Sequence, residues 1–387
     1  MDNHQNKRWD IFCKIVDNFG DIGICWRLSQ QLVKEHHCQV RLFIDDLTTA
    51  KKIIPTLVDT LQQQSINGVE ISTWPTMPIE PASIVIGAFA CELPDAYAQQ
   101  MPTFQSVWIN LEHLSAEDWV SDYHAKPSPH PSLAITKHFY FPGFKSDTGG
   151  LIRESNLIKA RDNFVGSETE QLVFWQKLGA FNEISEIKNS IKISLFCYPQ
   201  ANIQYLILAL MSVNKPVDLF VPADSTIKSI NEILIDFEVI NAKMMRKANI
   251  TMHFLPFLCQ AEYDHLLWAC DLNFVRGEDS WIRAIWAGKP FIWQPYIQTE
   301  HTHITKLNAF LEVYSSTASH EIKSLLADAH LSWSNVENSD LMSLQHMIKH
   351  LPKLSCYAQL QANLLAEQTD LATKLVSFSE NLVKNKV

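Results

Sequence analysis

The chain has 387 residues, of which 47% are hydrophobic and 19% are charged, a composition that supplies a full core and excludes a disordered chain. This length predicts two domains of ordinary size. The formal net charge of −10 argues against the phosphate backbone of a nucleic acid as the main partner, whereas a basic protein surface would be tolerated.

The sequence predicts a soluble cytoplasmic protein. No stretch approaches the roughly 18 consecutive apolar residues of a membrane-spanning helix. The first ten residues are polar and lack the apolar segment of a signal peptide. The eight cysteines are scattered without a C-x-x-C pair, and most lie in apolar runs, as expected of reduced thiols in the cytosol.

Short apolar runs alternate with amphipathic helical patterns in the first half of the chain. We predict strands at 9–16, 38–46, 69–74, 83–89 and 106–112, and helices at 22–36 and 47–64. Apolar strands separated by helices form parallel sheets that are covered on both faces. The first half therefore predicts a doubly wound α/β domain.

A second series of the same kind follows a polar, helical stretch at 145–190. Its predicted strands are 191–199, 217–224, 249–258 and 271–275, its predicted helices are 202–213 and 261–270, and a helical segment at 357–384 ends the pattern. The predicted organisation is two Rossmann-like domains facing a central cleft, with boundaries at 1–182 and 183–360. Residues 361–387 are expected to form a helix that packs back on the first domain.

The segment "DNFGDIG" lies where the first predicted strand turns into the first helix, with Asp17 and Asp21 on either side. Ligands bind at the carboxyl ends of strands in such sheets, so the segment should face the cleft. Only Gly20 and Gly23 are present, and the G-x-G-x-x-G spacing of a dinucleotide site is missing. Paired carboxylates suit holding a cation or accepting a proton. Alternatively, Asp21 caps the helix and the glycines make a turn.

The segment "NFVRGEDS" predicts an anion site at a second turn from strand to helix. A helix N-terminus favours anions, Arg276 adds a fork of donors suited to phosphate, and Gly277 allows close backbone approach. Ser280 can donate a further hydrogen bond. The alternative is a capped helix, with Asp279 or Ser280 as the cap and Arg276 paired to Glu278.

Aromatic and polar residues follow two other predicted strands of the second half. Phe196 and Tyr198 stand two apart and so share a face, either as walls for a base or sugar or as core. Phe257 and Gln260 also come just after a strand.

Two further motifs contain residues that could act in catalysis or bind a metal ion. Glu112 ends a strand and is a possible acid in the cleft. His301 and His303 have H-x-H spacing but no third ligand nearby in sequence, so surface histidines are favoured over a metal site.

Several segments together resemble the bacterial protein-arginine rhamnosyltransferases of translation elongation factor P, the EarP family. The resemblance runs from about residue 9 to the C-terminal helix, and its segments are "IFCKIVDNFGDIGICWRL", "NLEHLSAEDW", "FYFPGFKSDTGGLIRE", "LFCYP" and "LPFLCQAEYDHLLWACDLNFVRGEDSWIRAIWAGKPFIW". It implies a GT-B fold and metal-independent, inverting transfer of L-rhamnose from dTDP-β-L-rhamnose. The implied acceptor is one arginine of elongation factor P, and the product helps ribosomes stalled at proline runs.

The resemblance also implies catalytic roles. Asp21 would be the base and Asp17 its positioning partner, both in an acceptor-binding N-terminal domain. Glu278 would give catalytic support. A guanidinium has a pKa above 12 and an aspartate a pKa of about 4. Full deprotonation before attack would therefore cost more than about 10 kcal/mol. Proton removal must accompany attack, or follow twisting of the guanidinium out of conjugation, which two carboxylates can assist.

The donor roles implied by the resemblance belong to the C-terminal domain, which would bind the nucleotide sugar. Phe196, Phe257 and Gln260 would form the thymine pocket. Tyr198, Arg276 and Ser280 would hold the diphosphate, and Asp279 would support donor binding. The implied loop glycines are Gly20, Gly23 and Gly277.

The chain departs from the family pattern at His113, Trp281 and Gln294-Pro295, where Tyr, Phe and a His-containing segment are common. Tyr296 flanks the last departure, and its contribution to the donor site is open. Two other functions stay open as well. One is a GT-B transferase with another nucleotide sugar or a non-protein acceptor such as a lipopolysaccharide. The other is a non-catalytic module that binds elongation factor P.

Overall fold

The structure is a computed structural model, and it describes residues 8–16, 19–222, 234–334 and 340–384. The chain forms two compact units. Unit 1 comprises Met1–Ser155 and Ala366–Val387, and unit 2 comprises Asn156–Leu365. The predicted cleft between the two halves stays a prediction.

Unit 1 is built on an 8-stranded sheet in the order β3-β4-β2-β1-β5-β6-β8-β7. Its strands are β1 (Arg8–Cys13), β2 (Gln39–Ile44), β3 (Gln63–Ile66), β4 (Val69–Thr73), β5 (Ile84–Ala88), β6 (Val107–Leu111), β7 (Pro127–Pro129) and β8 (Thr136–Tyr140). Its helices are α1 (Gly20–His36), α2 (Leu47–Ile53), α3 (Asp95–Ala98), α4 (Trp119–Tyr123) and, at the other end of the chain, α15 (Leu371–Lys384).

The parallel strands of unit 1 have a Rossmann-type order. Strands β3 and β7 pair antiparallel at the two edges, and the strands between them are parallel. Numbered in chain order, the parallel strands run 3-2-1-4-5-6, which places the reversal of strand order between β1 and β5. The predicted doubly wound sheet is confirmed for this half of the chain.

The predicted helix at 47–64 is wrong beyond Ile53. Helix α2 ends there because Pro55 disfavours helical backbone at the residue before it and cannot continue the helix. The chain then forms the antiparallel β3–β4 hairpin. Its turn is Asn67-Gly68, with φ of 53° and 82°, the pair of positive φ values that favours Asn-Gly in two-residue hairpins.

A buried carboxylate ties the amino-terminal ends of the central strands of unit 1 together. Asp10 in β1 is fully buried and accepts hydrogen bonds from Arg41 Nε at 2.7 Å and from the Ala82 N–H at 3.0 Å. Its second oxygen also accepts from Arg41 Nη2 and from the Tyr97 hydroxyl. These bonds connect β1 with β2, with the residues before β5 and with α3.

The last described helix, α15, packs against α1 within unit 1. Gln31 Nε2 of α1 donates to Asp370 Oδ1 at 3.0 Å, and Lys374 Nζ donates to the carbonyl of Thr148 at 2.8 Å. Asp370 also accepts the Thr373 N–H at 3.0 Å, which caps the start of the helix. These contacts group the C-terminal segment with unit 1.

Unit 2 is built on a 7-stranded sheet in the order β11-β12-β13-β10-β9-β14-β15. Its strands are β9 (Ile191–Leu195), β10 (Val217–Pro222), β11 (Glu238–Asn241), β12 (Met244–Lys247), β13 (Ile250–Leu255), β14 (Leu272–Arg276) and β15 (Phe291–Gln294). Its helices are α5 (Leu157–Gly166), α6 (Glu168–Leu178), α7 (Ile184–Asn189), α8 (Ile203–Met211), α9 (Gln260–Ala269), α10 (Glu278–Ala287), α11 (Thr302–Tyr314), α12 (His320–Ser334), α13 (Leu341–Lys349) and α14 (Leu351–Ala366).

The parallel strands of unit 2 run 3-2-1-4-5 in chain order, so the order reverses between β9 and β14. The hairpin β11–β12 continues the sheet antiparallel at one edge. The predicted strands of this half are confirmed. Three of them end about two to four residues earlier than predicted, and the strand predicted at 271–275 is shifted by one residue, to Leu272–Arg276.

The stretch 156–182 lies in unit 2, although the predicted boundary placed it in the first domain. The ring of Phe164 in α5 stacks on His265 of α9, with centroids 4.7 Å apart. Arg161 Nη1 donates to the carbonyl of Trp286 in α10 at 3.0 Å. Helix α5 therefore packs on helices that lie about a hundred residues later in sequence.

The last helical segment is broken where the sequence predicted one continuous helix. The predicted start at 361 falls inside α14, and the break lies at 367–370. In the part of the chain that the structure describes, every helix is too short or too polar to cross a membrane.

Candidate active site

Asp21 lies at the point in unit 1 where the strand order reverses, directly after β1. Its carboxylate is 3% exposed, and Oδ2 accepts the N–H of Val16 at 2.8 Å. The N-cap of α1 is Phe19, and Asp21 stands in the first turn. The helix-cap alternative for Asp21 is therefore wrong. The side chain instead holds the segment that enters the helix.

The remaining residues of "DNFGDIG" have different placements. Asp17 lies outside the described residues. Gly20 and Gly23 were expected in a loop, but both lie in the first turn of α1, where the Gly23 N–H donates to the carbonyl of Phe19 at 2.9 Å. Both glycines are helical because α1 begins at Gly20, two residues earlier than predicted.

The segment after β5, the strand beside β1, carries a feature that sequence reasoning missed. Phe89 and Ala90 follow β5 and both have a φ of 56°, a conformation that is strained for residues with a Cβ. The Phe89 ring stacks on His113, with centroids 4.4 Å apart and planes 14° apart. Glu112, which the sequence indicated as a possible acid, follows β6. Burial raises its pKa, and it accepts a hydrogen bond from the Asn110 amide.

Arg276 is the centre of a cluster in unit 2, again where the strand order reverses. It ends β14 and is 6% exposed. Its Cζ lies 4.3 Å from the ring centroid of Phe196 and 4.8 Å from that of Tyr198, both of which follow β9. Its Nη1 donates to the carbonyl of Cys197 at 2.8 Å. The structure thus brings the two predicted aromatic residues onto one guanidinium.

The turn after Arg276 is closed by Gly277 and Ser280. Gly277 is the N-cap of α10, with φ 58° and ψ −169°, a region open mainly to glycine. Ser280 Oγ accepts the Arg276 N–H at 3.1 Å and donates to the Arg276 carbonyl. The alternative prediction of a side-chain cap at Asp279 or Ser280 is therefore wrong. Glu278 is the first residue of α10.

Gln260 and Asp279 connect the starts of two helices. Gln260 begins α9, Asp279 lies in the first turn of α10, and Gln260 Nε2 donates to Asp279 Oδ2 at 3.0 Å. Phe257 lies between β13 and α9 and is 36% exposed. The structure therefore forms one cluster around Arg276 and one polar pair beside it.

Gln294 is a residue of this cluster that sequence reasoning passed over. It ends β15, is 1% exposed, and its Oε1 accepts the N–H of Tyr198 at 2.9 Å. A single polar residue at the carboxyl end of an apolar strand was the available signal. Its neighbour Trp293 is part of the scaffold. The Trp293 ring stacks on Trp281 with centroids 3.7 Å apart, and its Nε1 donates to the Gly277 carbonyl at 3.2 Å.

The H-x-H pair lies beyond β15. The rings of His301 and His303 are 6.2 Å apart. His301 is exposed, but His303 is buried, so the prediction of a surface histidine is wrong for His303. Within the described ranges, His, Cys, Asp and Glu side chains form no group of three or more that could hold a metal ion.

The two clusters suit different chemistry. The guanidinium of Arg276, between aromatic faces and next to the N-terminus of α10, suits an anion attached to a flat ring. The buried carboxylate of Asp21 suits a cationic or proton-donating group.

Comparison with known proteins gives the family. A model of the family described as elongation factor P (EF-P) rhamnosyltransferase EarP matches residues 9–380. A protein-arginine rhamnosyltransferase of Pseudomonas putida is 40% identical, with 96% of this chain and 98% of that protein covered. The protein of the same name from Pseudomonas aeruginosa is 38% identical, with the same coverage of 96% and 98%.

Two solved structures define the fold. One structure comes from work on the structural basis for EarP-mediated arginine glycosylation of translation elongation factor EF-P. It is 31% identical to this chain with a TM-score of 0.68, and the match covers 97% of this chain and 99% of the other. Spinosyn rhamnosyltransferase SpnG complexed with thymidine diphosphate has a TM-score of 0.52 at 10% identity, covering 96% and 99%, and shows the fold alone. The predicted two-domain α/β class of GT-B type is confirmed. The chain belongs to the EarP family of elongation factor P rhamnosyltransferases.

Proposed function

We propose that the protein is an inverting glycosyltransferase that moves L-rhamnose from dTDP-β-L-rhamnose to an arginine side chain of translation elongation factor P. The observation that carries the proposal is the Arg276 cluster at the strand reversal of unit 2, in a chain of the EarP family. The modified factor would then act on ribosomes stalled at proline runs. The reaction takes place in the cytoplasm, where translation factors work.

The donor side of the reaction uses the Arg276 cluster. The guanidinium pairs with the diphosphate and stabilises the charge that develops on it as the glycosidic bond breaks. Tyr198 and Ser280 lie against Arg276 and complete the diphosphate site. Phe196 and Phe257 stack on thymine, and Gln260, oriented by Asp279, reads the edge of the base.

The acceptor side uses the carboxylates of the "DNFGDIG" segment. A guanidinium nitrogen attacks the anomeric carbon, the carbon–oxygen bond to dTDP breaks with its electron pair going to the phosphate oxygen, and a proton passes from the nitrogen to Asp21. Asp17 orients the guanidinium, and Glu278 gives further support. Attack from the face opposite dTDP turns the β-linked sugar into an α-rhamnosyl arginine.

The transfer requires no metal ion in this proposal. Arg276 and the N-terminus of α10 supply the positive charge that a divalent cation gives the diphosphate in other glycosyltransferases. Activity should therefore persist in EDTA. Loss of activity in chelator, restored by Mg²⁺ or Mn²⁺, would contradict this part of the proposal.

Intact-mass spectrometry of elongation factor P tests the whole proposal. We expect one deoxyhexose added after incubation with this protein and dTDP-rhamnose, and none on a factor whose acceptor arginine is replaced by lysine. Parallel reactions contain dTDP-glucose, UDP-glucose or a lipopolysaccharide acceptor. Transfer from another sugar or to the lipopolysaccharide would replace the proposed substrates. Binding of the factor without transfer from any donor would identify a non-catalytic module.

A further inference from the structure

Both polar groups of one peptide bond in the Arg276 cluster form hydrogen bonds with side chains. The carbonyl of Cys197 accepts from Arg276 Nη1 at 2.8 Å, and the N–H of the following residue, Tyr198, donates to Gln294 Oε1 at 2.9 Å. These are the two polar groups of the Cys197–Tyr198 peptide. Gln294 and Arg276 therefore jointly fix the backbone that carries the Phe196 and Tyr198 rings.

The side chain of Gln294 crosses the end of β14 to make this contact. Gln294 ends β15 and is the register partner of Arg276 at the end of β14. Tyr198 follows β9, which lies on the other side of β14 in the sheet order β9-β14-β15. The amide therefore lies over the carboxyl end of β14, beside the turn into α10. Ligands of open parallel sheets bind at this edge.

The contact also fixes the orientation of the Gln294 amide. An N–H can donate only to the amide oxygen, so Oε1 faces Tyr198 and Nε2 must be a donor. This nitrogen is buried, and among the described residues it has no hydrogen-bond partner. Buried donors without an acceptor are rare, because their lost hydration is not replaced.

We propose that Gln294 is a binding residue for the donor substrate, and that its Nε2 donates a hydrogen bond to a phosphate oxygen of the nucleoside diphosphate. The inference rests on the proposed function and extends it to a residue outside its predicted site. The phosphate is the favoured acceptor because it carries oxygens that only accept and because Arg276 and the start of α10 place it at this edge. Oε1 keeps the Tyr198 backbone in place at the same time.

Two substitutions separate this role from a purely structural one. Gln294→Glu retains an oxygen for the Tyr198 N–H but replaces the donor by a negative charge. Gln294→Met retains the volume and removes both hydrogen bonds. A diphosphate contact predicts that Gln294→Glu harms diphosphate binding more than Gln294→Met does, because charge repulsion adds to the lost bond. A purely structural role predicts the reverse order.

Calorimetry with thymidine and thymidine diphosphate is the test. We expect Gln294→Met to weaken thymidine diphosphate binding about 10-fold and Gln294→Glu to weaken it about 100-fold or more, with thymidine affinity nearly unchanged. The matched control is Gln204→Glu on the exposed side of α8, which adds the same charge to unit 2 and should bind as the wild type does. Wild-type affinity of Gln294→Glu for thymidine diphosphate would overturn the inference.

Binding measurements over a range of pH distinguish charge repulsion in the Gln294→Glu protein from misfolding of that variant. When the introduced carboxyl group is protonated, it accepts and donates as the glutamine amide does, and burial favours the protonated form. The thymidine diphosphate affinity of this variant, relative to wild type at the same pH, should therefore recover as the pH falls. A constant ratio would contradict the proposal.

Uridine diphosphate separates failure of the inference from failure of the proposed function. If the wild type binds uridine diphosphate but not thymidine diphosphate, the proposed donor is wrong, and the same variants test Gln294 with the diphosphate that binds. If it binds neither, both proposals are overturned.

Discussion

Asp21 accepts a hydrogen bond that a neutral amide could also accept. Its Oδ2 accepts the Val16 N–H at 2.8 Å, and an asparagine carbonyl can accept the same bond. This contact is therefore separable from the basicity that the proposed reaction needs. This separation makes Asp21→Asn a clean probe.

We expect Asp21→Asn to lower turnover by about 10²–10⁴-fold, with thymidine diphosphate affinity and melting temperature little changed. The measurement is the rate of rhamnose transfer to elongation factor P. Asp45→Asn is the matched control, because Asp45 Oδ1 accepts the N–H of the neighbouring Ile15 at 3.0 Å. Near wild-type turnover of a folded Asp21→Asn protein would rule out Asp21 as the base.

Arg276→Ala should weaken donor binding in the transition state by about 2–4 kcal/mol, since it removes the charged fork and the tether to Cys197. Arg276→Lys should recover part of this loss, because lysine keeps the charge but not the planar fork. Steady-state kinetics with varied dTDP-rhamnose measure both. Arg246→Ala, an exposed arginine on β12, is the control. Equal kinetics of Arg276→Ala and Arg246→Ala would show that the donor site lies elsewhere.

Sequence reasoning found the residues at strand ends but not the contacts between distant strands. Asp21 and Arg276 could be predicted because a turn from strand to helix places them at the ligand-binding edge of a parallel sheet. The bond between Gln294 and Tyr198 could not be predicted, because it joins positions 96 residues apart and no local pattern encodes that pairing.

Among the helices and strands, a long hydrophobic repeat predicted the element correctly, whereas a short repeat led to a wrong prediction. The 17-residue helix α1 was predicted within two residues of its start. The stretch 47–64 combined seven helical residues with a short polar strand, and a polar strand at a sheet edge lacks the apolar alternation that marks strands. Pro55 and Asn67-Gly68 were the local signals of the break and of the hairpin.

The buried carboxylate of Asp10 predicts a large effect on stability, because its hydrogen bonds join β1 to β2, to the residues before β5 and to α3. Asp10→Ala removes the carboxylate that accepts from the Arg41 guanidinium, the Tyr97 hydroxyl and the Ala82 N–H. Removing one partner of a buried ion pair typically costs about 3–5 kcal/mol. We expect a loss of that size in the free energy of unfolding, measured with urea.

The exposed ion pair beside it is the control for Asp10→Ala. Glu80, whose side chain is 64% exposed, pairs with Arg8 at 3.1 Å. Exposed pairs contribute about 1 kcal/mol or less, so Glu80→Ala should be nearly neutral. Equal losses for the two variants would show that the Asp10 cluster does not stabilise the sheet.

For the whole molecule, buried neutral histidines predict acid sensitivity in both units. Burial lowers the pKa of His124 in unit 1 and of His330 in unit 2 from 6.5 to about 4. Between these values the unfolded chain binds protons that the native protein does not. Stability is therefore complete above pH 6.5 and falls as the pH drops toward 4, by up to about 1.4 kcal/mol per pH unit for each histidine.

Urea unfolding between pH 7 and 5 measures this dependence. His330→Gln, which does not titrate, should have a shallower slope of unfolding free energy against pH than the wild type. His320→Gln, at an exposed position, should leave the slope unchanged. An identical slope for wild type and His330→Gln would show that His330 is not held neutral in the native protein.

The division of the chain into two domains could be predicted from the sequence, but the boundary between them could not. Length and alternating patterns predicted two doubly wound halves. The grouping of 156–182 with unit 2 depends on the contacts of Arg161 with Trp286 and of Phe164 with His265, which only the folded chain brings together. The sequence resemblance supplied the function that neither composition nor periodicity could.

Unit 1 is made from two stretches of chain with all of unit 2 between them, and this has a consequence for biosynthesis. Domains generally fold as they leave the ribosome, the earlier one first. Here α1, which carries Asp21, emerges early, but α15, which packs against it, emerges after residue 365. Unit 2 can therefore be complete in a nascent chain while unit 1 still lacks its last helix. A chain released early by the ribosome would carry Arg276 in a folded unit but leave the helix of Asp21 uncovered.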